Sequence, residues 1–141
     1  MRVLISDNFS AAGLKLFDEA DGIVADYRPG ITHDKILNCI SDYDALVVRG
    51  GTCVDEALIK AGTRLKIIAR AGIGVENIDM VAANTHGIVI TNTPLGSTTT
   101  IAEHAIALMM ALARLIPPAH QSMLKGAWQP AEFLGSDING K

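Results

Sequence analysis

Two arginines carry the most readable chemistry in this sequence. Arg49 is followed by Gly50-Gly51, and Arg70 by Ala71-Gly72-Ile73-Gly74. A guanidinium group offers paired N–H donors in a plane that matches a carboxylate or a phosphate. Glycines beside it let the backbone approach an anion and turn its own N–H groups toward it. A lone arginine here would be read as surface charge paired with Asp44 or Glu76. Two, each beside a glycine turn, point instead to a pocket for a small anion bearing a carboxylate, a phosphate or both. Asp7-Asn8 and Asn92-Thr93-Pro94 follow two further strand-like runs. Gly72-x-Gly74 is not read as a dinucleotide loop. The third glycine position holds Asn77, and no Asp or Glu stands about 20 residues on, where a ribose partner is expected. The segment at Asn77 is expected to open a helix whose N-terminus adds partial positive charge to the pocket.

Other chemistries find less support. His33, His86, His104 and His120 have no metal-ligand spacing to one another or to Cys39 and Cys53, so no metal site is expected. Glu103 and His104 are neighbours that point in different directions on a helix. Thr100-x-x-Glu103 reads as a capping box opening that helix, and His104 as a packed or interface residue. Two unpaired thiols in a chain of this size read as reduced and cytoplasmic.

The elements that must hold these residues alternate. Strands are expected at Val3–Ser6, Ile23–Tyr27, Ala45–Val48, Leu65–Ala69 and Ile88–Thr91. A first helix runs from Ser10 to Asp21-Gly22. A second follows Thr32, with Ile36, Leu37 and Ile40 on one face. A third spans Asp55–Ala61, and a fourth Ile78–Ala83 with Gly87 just past its end. The last three strands are continuous apolar runs, as expected of strands covered on both faces. The fold class is therefore α/β with a doubly wound parallel sheet, whose ligands bind at the carboxyl ends of the strands. A receiver domain finds little support, because the third strand runs into Arg49 rather than a phospho-accepting Asp. A flavodoxin would need a Ser/Thr-rich phosphate loop after the first strand, which Asp7-Asn8-Phe9-Ser10 does not supply.

Composition sets the outer bounds. The chain has 141 residues, 49% hydrophobic and 19% charged, with a net charge of -3. The apolar share fills a core, and the absence of a Lys/Arg run argues against nucleic acid or a membrane surface as partner. MRVLISD runs directly into a strand-like stretch, so no signal peptide is expected. The longest apolar stretch, Ala105–Ala113, is far short of the ~20 residues that span a bilayer. Ile101–Leu115 is nonetheless apolar on nearly every side, and such a helix must be covered all round. A second domain or subunit is expected to cover it, and a homodimer through Ile101–Leu115 is the expected form. Pro117-Pro118 is expected to end that helix, and Trp128 to be a packing anchor. Asn139-Gly140 announces a turn into a further strand, so the chain reads as a fragment cut before its second domain.

The blocks VLISD, DYDALVVRG, LKIIARAGIGVENIDMVAA, GIVITNTP, TIAEHAIALMMALAR, KGAW, FLG and INGK, spread over the whole chain, resemble the N-terminal part of the D-isomer-specific 2-hydroxyacid dehydrogenases. The resemblance implies a flavodoxin-like substrate domain over residues 1–99. Residues 100–141 would be a crossover helix leading into a Rossmann NAD domain that is absent here. It implies an oxidoreductase that moves a hydride between NAD and a small D-2-hydroxy acid. The foremost substrate is 3-phosphoglycerate of serine biosynthesis, with glyoxylate or hydroxypyruvate as alternatives. A non-enzymatic corepressor module on the same fold is a further alternative. Residue by residue, the resemblance puts Arg49, Gly50, Arg70, Gly72, Ile73, Gly74 and Asn92 at the substrate. Ile73 and Thr98 fall at the nicotinamide end of the cofactor. The catalytic arginine, glutamate and histidine would lie beyond Lys141, so the fragment alone is expected to be inactive.

Overall fold

Short polar side chains set where the helices begin. Residues 1–140 are described by the computed structural model. Ser10 accepts a hydrogen bond from the Gly13 amide at 3.2 Å, Asp55 from Leu58 at 2.9 Å and Asp79 from Ala82 at 2.9 Å. Each satisfies an N–H that has no partner inside its helix. The elements from Met1 to Gly96 alternate: β1 (Arg2–Ile5), α1 (Ala11–Asp18), β2 (Val24–Tyr27), α2 (His33–Leu37), β3 (Ala45–Val48), α3 (Glu56–Ala61), β4 (Ile67–Arg70), α4 (Met80–Thr85) and β5 (Val89–Asn92). The five strands are parallel in the order β2-β1-β3-β4-β5. That is the doubly wound α/β architecture expected from the alternation.

Period-two alternation sorts the core into two faces. Leu4, Leu46, Val48 and Ile68 face Ile36, Leu58, Ile59, Ala82 and Ala83 on α2, α3 and α4. Val3, Ile5, Ala45 and Val47 face Leu14 and Phe17 of α1 and the preceding Phe9. β3 is buried on both faces, as its unbroken apolar run predicts. β5 departs from that expectation. It is an edge strand, and its Val89 is 57% exposed. The run Ile88–Thr91 looks buried in sequence, but only Ile88, just before the strand, is fully covered.

Three helix boundaries also differ from the sequence reading. Ile40 stands outside α2, in a 3-10 turn over Ile40–Asp42. α1 ends at Asp18 rather than at Asp21-Gly22. Asn77 does not open a helix: α4 starts at Met80 behind the Asp79 cap, because the backbone over residues 77–79 forms a parallel bridge with Val54, whose amide donates to Asn77 O and whose carbonyl accepts from the Asp79 amide. No helix terminus therefore stands at Asn77.

One polar cluster fastens β2 to the sheet. The Tyr43 hydroxyl donates to Asp26 Oδ2 at 2.5 Å, and Arg28 Nε donates to Asp26 Oδ1 at 3.0 Å. The Arg2 guanidinium lies 4.9 Å from the Tyr43 ring centroid. Arg28, then Tyr43, hold the Asp26 carboxyl below its ordinary range. Burial, then the Asp26 bond, push the Tyr43 phenol up to about 12.

A second unit begins at Ser97 and contains α5 (Thr98–Ala113), α6 (Ile116–Leu124) and a 3-10 turn over Pro130–Phe133. Ser97, not Thr100, is the N-cap of α5, so the expected capping box lies inside the helix. Pro117 and Pro118 sit in the first turn of α6 and so start a helix where they were expected only to end one. Their missing N–H groups cost nothing there. Leu115, at φ 53°, makes the left-handed link between the two helices. No residue of α5 is buried. Ile101, Ile106, Leu108, Met109 and Leu112 are all more than half exposed. His104 is exposed rather than packed, and Trp128 is 77% exposed rather than a buried anchor. No single helix among the described residues is long and apolar enough to cross a membrane.

Candidate active site

The parallel register brings the singled-out residues to one edge of the sheet. Val48 pairs with Arg70, and Arg70 with Asn92. Arg70 and Asn92 are thus the last residues of their strands, and Arg49 is one step past the end of β3. The loops that follow are tied together by side chains.

Asn77 makes the central tie. Its Nδ2 donates to the carbonyls of Arg49 at 2.9 Å and Thr52 at 2.7 Å, while its Oδ1 accepts from Arg70 Nε at 3.1 Å. One side chain therefore holds the backbone beneath one arginine and the guanidinium of the other. Asp7 makes a second tie. Its Oδ2 accepts from the amides of Arg49 at 2.6 Å and Thr52 at 3.2 Å, and its Oδ1 from the Thr52 hydroxyl at 2.9 Å. With the Thr52 proton given to the carboxylate, the Ser6 hydroxyl, 2.7 Å away, donates to Thr52. In sequence Asn77 shows only as the residue that breaks a glycine pattern, and Asp7 as one acid after a strand. Neither carries a sequence signal of its role, because each ties down backbone that lies 25 or more residues away.

The guanidinium groups differ in their surroundings. Arg49 is exposed, and its Nη1 donates to the Asn8 carbonyl at 3.3 Å. It lines an open cleft of about 240 Å³ with Asp7, Asn8, Gly50 and Gly51. Arg70 is largely covered and pairs through Nη2 with Glu76 Oε1 at 2.9 Å. Its Nη2 lies 3.6 Å from where a Cβ on Gly50 would stand, and its Nη1 lies over Gly72, where a Cβ would collide with it. The pair do not share an acceptor; they flank Gly50. The expected alternative partners divide: Glu76 does pair with Arg70, whereas Asp44 pairs with Arg64 at 3.0 Å and not with Arg49.

The 72–74 loop is oriented from the β5 side. Asn92 Nδ2 donates to the Ile73 carbonyl at 2.6 Å, and the Thr93 amide to the Gly72 carbonyl at 2.9 Å. In a planar trans peptide the N–H points opposite to the C=O. Fixing those two carbonyls toward β5 therefore aims the amides of Ile73 and Gly74 the other way. Neither amide has a partner among the described residues, while the Gly72 amide is used in a turn to Arg70 O at 3.0 Å. Two successive unpaired amides beside a covered guanidinium are a donor set of the kind that suits an anion. The Gly72 amide is thus already engaged and the residue leaves room for Arg70, while Asn92 orients the loop through its Nδ2. Ile73 itself is 40% exposed. Thr98 is the first residue of α5 and belongs to the second unit. Among the described residues no group of three His, Cys, Asp or Glu could hold a metal ion.

Residues 3–132 match the family model described as D-isomer specific 2-hydroxyacid dehydrogenase, catalytic domain. The chain belongs to this family. Curated relatives agree. The chain is 41% identical to D-3-phosphoglycerate dehydrogenase of Synechocystis over 140 residues, covering 99% of this chain and 25% of that protein. It is also 41% identical to D-3-phosphoglycerate dehydrogenase of Archaeoglobus fulgidus over 141 residues, covering 100% of this chain and 27% of that protein. Among solved structures, the cofactor (NAD+) bound 3-phosphoglycerate dehydrogenase of Entamoeba histolytica superposes with a TM-score of 0.69 at 32% identity, covering 81% of this chain and 39% of that one. The chain thus spans about a quarter of the length of the curated dehydrogenases it matches.

Proposed function

We propose that this chain is the acid-binding portion of an NAD-dependent dehydrogenase acting on a small D-2-hydroxy acid, foremost 3-phosphoglycerate. The observation that carries the reading is the pair of amides at Ile73 and Gly74, aimed away from β5 beside the guanidinium of Arg70. Arg70 and those amides receive the carboxylate, and Arg49 with Gly50 receives the phosphate from the adjacent cleft. The names of the relatives support the phosphorylated substrate, and two arginines suit an acid with two anionic groups. The NAD-bound relative supports the cofactor.

The residues described here do not fit a whole dinucleotide. The turn after β4 leads to a six-residue helix with Asp79 at its start, which would repel a pyrophosphate. Ile73 and Thr98 are proposed to touch the nicotinamide end only, and no hydride or proton step is assigned to this chain. When bound, the cofactor would accept the substrate's hydride. Residues 1–99 are proposed as the substrate domain, and residues 100–141 as the crossover into a cofactor domain. The exposed apolar side chains of α5 support a homodimer through Ile101–Leu115. Two free cysteines support a reducing, cytoplasmic setting.

Calorimetric titration of the chain with 3-phosphoglycerate tests the reading. Arg70→Ala is expected to weaken binding roughly 10- to 100-fold, the worth of a lost charged hydrogen bond. Arg49→Ala is expected to weaken 3-phosphoglycerate far more than D-glycerate, which lacks the phosphate. Wild-type affinity in both variants would contradict it. The chain alone is expected to produce no NADH from any D-2-hydroxy acid, as read by absorbance.

A further inference from the structure

The residue opposite Arg70 is itself a carboxylate. Glu76 Oε1 lies 2.9 Å from Arg70 Nη2, and the Glu76 Cδ lies 3.0 Å from where a Cβ on Gly74 would stand. The carboxylate therefore rests on the same guanidinium and the same loop that an incoming acid needs. The two partners differ sharply in exposure: the Arg70 side chain is 10% exposed and that of Glu76 is 72%. Arg70 is also held independently, through its Nε on Asn77 Oδ1 at 3.1 Å. Withdrawal of Glu76 would leave the guanidinium in place and unpaired on its Nη2.

We propose that Glu76 is a specificity-determining internal competitor, a tethered carboxylate that occupies the acid cradle and that a substrate anion must displace. The inference rests on the acid-binding reading above. A tethered carboxylate on a largely exposed side chain gives up such a pair at small cost. It still outcompetes a simple monoanion, whose carboxylate gains Arg70 and the two amides but nothing at Arg49. An acid that also places a second anionic group at Arg49 wins the exchange. Glu76 thereby raises the discrimination between doubly anionic acids and common small anions.

The test is calorimetry on the full 141-residue chain at fixed ionic strength, with 3-phosphoglycerate and with acetate as probes. Glu76→Gln is expected to bind 3-phosphoglycerate roughly two- to fivefold more tightly. It is expected to gain more for acetate, so that selectivity between the two falls. Glu19→Gln is the control for the change in net charge, since Glu19 pairs with Lys15 at 3.3 Å just past the end of α1. It is expected to leave both affinities unchanged. Circular dichroism melts confirm that the variants fold. If the wild type binds 3-phosphoglycerate and Glu76→Gln binds it equally or less well, the competitor role is overturned while the acid-binding reading stands. An equal gain in Glu19→Gln overturns it as well, as a general charge effect. If neither wild type nor Glu76→Gln binds, the acid-binding reading fails and the inference fails with it.

Discussion

Among single side chains, Asn77 has the widest reach, because it fixes both arginine loops at once. Asn77→Ala removes the acceptor on Arg70 Nε and two donors to the 49–52 backbone. Loss of a hydrogen bond to a charged group is worth about 1.5–3 kcal/mol. 3-Phosphoglycerate affinity is therefore expected to fall about tenfold or more, although Asn77 is not proposed to touch the ligand. Unchanged affinity in titration would show that the arginines hold their places without it. Gly72→Ala is expected to act in the same direction, because its Cβ would stand in the space of the Arg70 guanidinium. Much of this site was legible in sequence: the arginines, the glycines and Asn92 do stand at one sheet edge. What sequence hid was the division of labour. Gly72 and Asn92 read in sequence as ligand contacts, and the structure adds that one leaves room for Arg70 and the other turns a loop. Such roles depend on which carbonyl faces which strand, and residue type does not record that.

The elements carry their own signals unevenly. The caps at Ser10, Asp55 and Asp79 sit where short polar residues precede apolar spacing, and Ala45–Val48 is the strand its composition announces. β5 was misjudged as buried because an apolar run does not reveal that its strand lies at an edge. The fastening of β2 gives a prediction at this scale. Asp26, Asp44 and Asp55 are all held below the ordinary carboxylate range, by Arg28, by the Arg2 amide and by the Leu58 amide respectively. Their stabilising contributions are present above about pH 4 and are lost as pH falls further. Tyr43 has the opposite sign. Its phenol is raised to about 12, so its contribution is full below about pH 10 and disappears as pH climbs from there toward 12. Thermal melts across pH are expected to show both declines. Tyr43→Phe is expected to flatten the alkaline one; an unchanged alkaline decline would place its cause elsewhere.

The molecule as a whole is two units with different claims on stability. The unit up to Gly96 has buried apolar faces on both sides of its sheet. The unit from Ser97 has a 16-residue helix with no buried residue. Exposed Ile, Leu and Met side chains on that scale support the homodimer proposed through this helix. Met110→Asp or Leu112→Asp is expected to shift the light-scattering mass from dimer to monomer, or to aggregate; an unchanged mass would count against this interface. The all-round apolar pattern of α5 was legible from sequence, but its boundaries were not. The Thr100–Glu103 spacing imitates a cap, and two prolines that can end a helix also suit the start of the next.

The central claim is that the amides of Ile73 and Gly74, with Arg49 and Arg70, receive one small acid. Backbone amide chemical shifts, followed by NMR as 3-phosphoglycerate is added, test it most directly. The largest and saturable changes are expected at residues 49–51 and 72–74. Saturable changes confined to the basic cleft lined by Arg28, Lys35 and Asn38, with residues 72–74 unmoved, would contradict it.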